Sequence, residues 1–303
     1  MASHCAPGDS RSLVLDPRLP PELVLHVFEH ADRATLITCS TICRQWSAMS
    51  MPYRFYSVAL QCTTSEDDEE ASPLLPGFSI FLFKRLPQFL QFLRQSPHIA
   101  HEIHELLIEI VTQRSFANLD QSAFANVLCS LPQLRTLALV NVFLRAPDPE
   151  LLTGVNINHL IVRYPGMRWY DIVVDINHLW GMLALFGDVS SVSFEDMHVV
   201  AKTPLSSLRK PNVTALTLRR VTGIPSLLES MTASGSPRLP GLRSIDIPDP
   251  ICVQIPALNA FLRGTGAQYS YLGCSMPYSV TRMGRSSEGK NHKRLIAVLL
   301  IQH

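Results

Sequence analysis

One frame of residues, apolar-x-x-apolar-x-apolar, recurs six times between positions 103 and 247 and limits the fold more than any other feature of the chain. It occurs at Ile103-x-x-Leu106-x-Ile108, Leu134-x-x-Leu137-x-Leu139 and Ile157-x-x-Leu160-x-Val162. It returns at Val189-x-x-Val192-x-Phe194, Val213-x-x-Leu216-x-Leu218 and Leu242-x-x-Ile245-x-Ile247. Successive frames start 31, 23, 32, 24 and 29 residues apart. Alternate side chains of a strand share a face, so the last two apolar positions of each frame point inward together. The earlier apolar residue turns in with the incoming loop. One such unit cannot bury its own apolar face. Stacked neighbours can, and they make a continuous core with a parallel sheet on one side. Several frames have a leucine three residues upstream, with Leu131 and Leu239 the clear cases. A further weak strand is predicted near Tyr269–Leu272.

The pattern resembles leucine-rich repeats, whose period is ~20–29 residues. Two steps are longer than that, and the asparagine position of the repeat is missing. The resemblance implies an irregular solenoid over residues 78–275, alternating short strands with short helices such as Gln88–Arg94 and Gln121–Leu128. Solenoids commonly bind partners through exposed strand side chains. Those flanking the inward positions include Glu105, Glu109, His159, Arg163, Glu195, Arg219 and Asp246, the candidates for binding a protein target. Their mixed signs specify no ligand class.

Hydrophobic residues make up 47 % of the 303, and charged residues 17 %. That composition fills a sizeable core and argues against global disorder. The net charge of +1 offers no general attraction to nucleic acid or anionic membrane, so neither is an expected partner. The seven cysteines are scattered without a CxxC pair, which fits thiols in a reducing compartment. Residues 1–12 lack a signal-peptide apolar core, and no apolar run approaches the ~20 residues of a membrane span. The expected location is therefore cytoplasmic or nuclear, and Asn212-Val213-Thr214 is read as a chance sequon.

Nothing in the chain supports catalysis. It has no GxSxG elbow, no GxxxxGK[ST] and no GxGxxG. His98, His101 and His104 are three apart, whereas a zinc-binding helix needs two histidines at i, i+4. Cys43 lies on an apolar stripe and reads as a packed thiol. The expectation is a non-enzyme without cofactor or metal.

The N-terminal segment Leu19–Trp46 has its own pattern. Pro20 and Pro21 suit a helix start, and Glu22 complements the dipole of the first turn. Leu23, Val24, Val27 and Phe28 fall on one side, with His26, Glu29 and His30 on the other. After a polar break at 32–34, Thr35 is the expected N-cap of a second helix. Its apolar stripe is Leu36, Cys39, Ile42, Cys43 and Trp46, and Pro52 limits its end. A hairpin this small must pack on something.

The order of Leu19, Pro20, Glu22, Leu23, Val24, Val27, Phe28, Leu36, Ile42, Cys43, Arg44 and Trp46 resembles the F-box family. Ala31 stands where that family usually has leucine, and Thr35 where it often has aspartate or serine. The resemblance implies a three-helix unit that docks a Skp-family adaptor and, through it, a cullin ubiquitin ligase. Leu19, Pro20, Leu23, Val24, Val27, Phe28, Leu36, Ile42, Cys43 and Trp46 are the adaptor-binding candidates it implies. F-box proteins with a leucine-rich-repeat half are known, and the whole chain resembles them.

The resulting expectation is an α/β chain with a disordered start at 1–17 and an F-box at 18–60. An acidic linker at 61–77 carries the run Glu66–Glu70, the repeat domain spans 78–275, and a basic tail spans 276–303. The expected function is target recognition for a Skp–cullin–F-box ligase. The alternative is a repeat scaffold with no ligase role.

Overall fold

The structure, a computed structural model, describes residues 19–63, 79–82, 86–111, 121–143, 154–165, 173–201, 212–232, 241–247, 257, 260–261 and 271–274. The expected disordered start, the acidic run and the basic tail lie outside these residues. The chain divides into two compact units, Met1–Arg54 and Phe55–His303. No helix among the described residues is long and apolar enough to cross a membrane.

The first unit holds α1 (Pro21–His30), α2 (Arg33–Ile42) and all but the last residue of α3 (Arg44–Phe55). Pro21 occupies the first turn of α1, where its missing N–H has no intrahelical role. Several expectations need correction. The N-cap of α2 is Asp32, whose Oδ1 accepts from the Thr35 backbone N–H at 2.8 Å, and Thr35 lies inside the first turn. These Thr35 hydrogen bonds hold the Asp32 carboxyl below its usual pKa. The second helix also breaks early. Cys43 is extended (φ −156°) and its Sγ accepts from the Trp46 N–H at 3.5 Å, which starts α3. Cys43 is exposed and not packed, and Pro52 falls inside α3.

The second unit is built on one sheet whose strand pairs are all parallel. Its strands are β1 (Ser57–Thr63), β2 (Ser79–Leu82), β3 (Glu105–Val111), β4 (Thr136–Val140), β5 (Val155–Arg163), β6 (Val173–Asp175), β7 (Phe186–Val200), β8 (Asn212–Thr222), β9 (Ser244–Ile247) and β10 (Tyr271–Cys274). The order is β2-β1-β3-β4-β5-β7-β8-β9-β10, and β6 also pairs with β7. Apart from the exchange of β1 and β2, each strand on this path lies beside the next one on it in sequence. Residues 61–63 of the expected linker belong to β1.

The recurring frames coincide in space. Val58, Leu106, Leu137, Leu160, Val192, Leu216, Ile245 and Leu272 form one row across eight strands. Leu60, Ile108, Leu139, Val162, Phe194 and Leu218 form a second. Every described side chain in both rows is at most 2 % exposed. Helices α4 (Leu86–Gln95), α6 (Gln121–Cys129), α7 (Ile176–Ala184) and α8 (Ile224–Thr232) contribute Phe89, Phe124, Trp180 and Leu227 to the same core. The short α5 (Pro97–Ala100) adds Ile99. Each buried Leu, Val, Ile or Phe contributes roughly 1.5–3 kcal/mol, so the rows and the helices packed on them together stabilise the unit.

A third feature follows the frames. Asn141, Asp196 and Arg220 have φ of 56°, 56° and 51°, and each lies two residues beyond the last frame residue. A left-handed residue shifts the inward–outward alternation by one. Val142, Met197 and Val221 are thereby buried, at 1 %, 2 % and 2 % exposure. Asn and Asp tolerate this conformation best, whereas a bulkier side chain costs roughly 1–2 kcal/mol.

On α7, the Asp175 side chain accepts from the Asn177 N–H at 3.0 Å. His178 follows, with its ring 4.9 Å from that of Phe143. Burial lowers the His178 pKa, and the Asp175 carboxylate partly opposes it. The Nε2 atom has no hydrogen-bond partner among the described residues. Protonation is therefore disfavoured in the folded state. The sign is fixed: this contribution is complete above the ordinary imidazole pKa of about 6.5 and is lost as pH falls below it. Urea midpoints should drop across that range, and His178→Asn should flatten the profile.

Candidate functional site

The three N-terminal helices enclose a small core. Val24, Phe28 and Leu36 are 3 %, 2 % and 4 % exposed, and Ala31, Cys39, Trp46, Met49 and Tyr53 pack against them. Phe28 meets Trp46 edge to face at 5.6 Å and Tyr53 at 6.5 Å. Such aromatic pairs contribute roughly 0.5–1.5 kcal/mol beyond area burial, which matters in a unit this small. Burial and the neighbouring Arg54 guanidinium lower the Arg33 pKa.

The candidate docking residues split on this basis. Val24, Phe28, Leu36 and Trp46 belong to the core. Leu19, Leu23, Val27 and Ile42 are 50–56 % exposed, and Pro20 and Cys43 are also exposed. Leu25 and Ile37, absent from the sequence-based candidates, join the exposed set at 37 % and 42 %. Eight large hydrophobic side chains are exposed among the described residues, and six of them lie between positions 19 and 42. Apolar surface concentrated this way marks an interaction face more often than chance exposure does.

The second candidate surface is the outer side of the sheet. There Ala59, Leu107, Ala138 and Val140 form an apolar cluster with Ile161. The candidate target-binding residues lie in three rows around it. Glu105 and His159 flank Thr136 in one row, and Asp246 pairs with Thr217 in the next. Glu109, Val140, Arg163, Glu195 and Arg219 form the third row. Glu105 accepts from the Ser57 hydroxyl at 2.5 Å, and Glu109 from Gln61 Nε2 at 3.0 Å. His159 and Arg219 are exposed.

Two residues that sequence reasoning missed organise the charged end of this surface. Asp196 Oδ2 accepts from Arg163 Nε at 3.0 Å and from Arg220 Nη2 at 2.7 Å. Glu195 Oε2 stands 3.9 Å from Arg163. Their signal was the pair of positions just past each frame, where a left-handed turn brings consecutive side chains to one side. Asp196→Ala should leave two cations side by side at a cost of about 1 kcal/mol, smaller at high salt because the arginines are partly exposed. Asp196→Asn should retain the left-handed turn while losing the charge. Urea midpoints at two salt concentrations separate the two effects.

The three spaced histidines do not converge. His101 Nδ1 donates to Pro97 O at 2.9 Å, and His104 Nδ1 donates to Gln133 O at 3.0 Å with its ring against Tyr56. His98 lies on α5.

No curated protein matches the chain. The F-box-like family model matches residues 16–57 and stops where the sheet begins, so the unit carrying α1, α2 and α3 is an F-box-like domain.

Proposed function

We propose that this chain is the target-recognition subunit of a Skp–cullin–F-box ubiquitin ligase, working in the cytoplasm or nucleus. The observation that carries the reading is the exposed apolar set Leu19, Leu23, Val27 and Ile42 on a domain of F-box-like type. F-box domains typically bind Skp-family adaptors of cullin ligases and are themselves non-catalytic. Leu25 and Ile37 are further exposed apolar side chains of the same domain.

The larger unit is read as a degenerate leucine-rich-repeat solenoid that holds a protein target. The registered apolar rows and the near-sequential strand order support this reading. Glu109, His159, Arg163, Arg219 and Asp246 are the proposed contacts, with Glu105 and Glu195 beside them. The chain forms no covalent intermediate in this mechanism. It raises the effective concentration of a tethered target near the conjugating enzyme.

The test is capture of the full chain by a purified Skp-family adaptor, followed by reconstitution with the cullin core. Capture with target conjugation is the expected result. Capture without any conjugated target from cell extract would favour a scaffold with no ligase role. An intact, folded chain that the adaptor does not capture would overturn the proposal.

A further inference from the structure

His26, Glu29 and His30 project from the exposed side of α1. They are the one group of three or more metal-ligating side chains within reach of one another among the described residues. The sequence contains the relevant spacing. Positions i and i+4 lie one turn apart on one helix face, the arrangement used by zinc-binding helices. The sequence expectation of no metal weighed only His98, His101 and His104, which lack this spacing.

The geometry is close to what a metal ion needs. The three ligand atoms lie within 4.8 Å of one another. His26 Nδ1 and Glu29 Oε2 are 3.5 Å apart. Two donors about 2.0–2.2 Å from one tetrahedral zinc ion sit roughly 3.4 Å from each other, so this pair needs almost no movement. The imidazole rings stand edge to face with centroids 4.9 Å apart. His26 and Glu29 have side chains 69 % and 60 % exposed, so the remaining adjustment is rotation into open solvent.

We propose that His26, Glu29 and His30 form a surface site for a divalent transition-metal ion such as zinc or nickel. Two imidazoles and one carboxylate suit these ions, whereas calcium and magnesium prefer all-oxygen sites. Glu29 supplies one negative charge against the ion, and water completes the coordination. All three ligands come from α1 alone.

The test uses full-length protein with isotope-labelled histidine rings, titrated with Ni²⁺ and followed by magnetic resonance. His26 and His30 should broaden first, at sub-stoichiometric metal, and Zn²⁺ should restore their signals. His30→Gln should abolish the early broadening of His26 and weaken binding by more than about tenfold, since loss even of an outer-shell partner costs 10–100-fold. Circular dichroism checks that this exposed substitution keeps the helix. The proposal is overturned if His26 and His30 broaden no sooner than the other histidines, or if the folded His30→Gln protein binds as tightly.

Discussion

Replacing Leu23 and Val27 together by aspartate should abolish capture by a Skp-family adaptor while the chain stays folded. Both side chains lie one turn apart on α1, at 52 % and 56 % exposure, so neither change opens a cavity. At an interface the same changes replace two apolar contacts with two charges to be desolvated. Central interface residues cost about 2 kcal/mol or more each, so the pair should weaken binding at least a hundredfold. Binding measured by calorimetry, with circular dichroism on the same samples, checks both halves. Phe28→Asp is a poor substitute. Phe28 is 2 % exposed against Trp46 and Tyr53, so a charge there unfolds the domain and lost binding would say nothing about docking. Retained binding by the Leu23/Val27 variant would remove this face from the mechanism.

Gly223→Ala should cost the sheet unit at least about 3 kcal/mol. Gly223 separates β8 from α8, at φ +78°, and its carbonyl accepts the Leu227 N–H at 3.2 Å. An alanine there meets two penalties. The left-handed backbone alone costs about 1 kcal/mol. The added Cβ would also overlap the Val199 carbonyl oxygen of β7, a backbone atom of an interior strand that cannot swing away. For a unit of this size the loss corresponds to a fall of roughly 6–12 °C in thermal midpoint. Gly154→Ala separates the terms. Gly154 has φ +61°, and among the described residues no atom beyond its chain neighbours lies within 4 Å of where its Cβ would stand, so the backbone penalty is what applies. Equal losses for the two variants would show that β7 yields around Gly223.

The sheet was legible because its information is periodic. Leu137, Leu160 and Val192 occupy the same place in three frames, and parallel pairing sets them side by side. The breaks were harder to read. Leu36, Ile42 and Trp46 sit at helical spacing on either side of Cys43, so apolar periodicity alone runs through a break that depends on one extended residue. Asp32 looked like part of a polar break because its capping role is visible only once the Thr35 N–H points at it. The docking face was half legible. On α1 the pairs Leu23/Val27 and Val24/Phe28 are offset by one residue, and both are apolar at i, i+4. Only the packing of Phe28 on Trp46 decides which pair turns inward. The Arg163–Asp196–Arg220 group joins three strands, and the positions just past each frame mark its place without saying which side chains meet.

The strand order has a consequence of its own. From β2 to β10 the path crosses eight strand-to-strand steps, each about 4.8 Å. Position along the sheet therefore rises almost steadily with residue number, and the whole path spans roughly 38 Å. The sheet acts as a graduated ruler. A ligand held near His159 and one held near Asp246 would sit at different marks on it. Removing one strand with its connection would move every later mark by about 4.8 Å without rewriting the surface on either side.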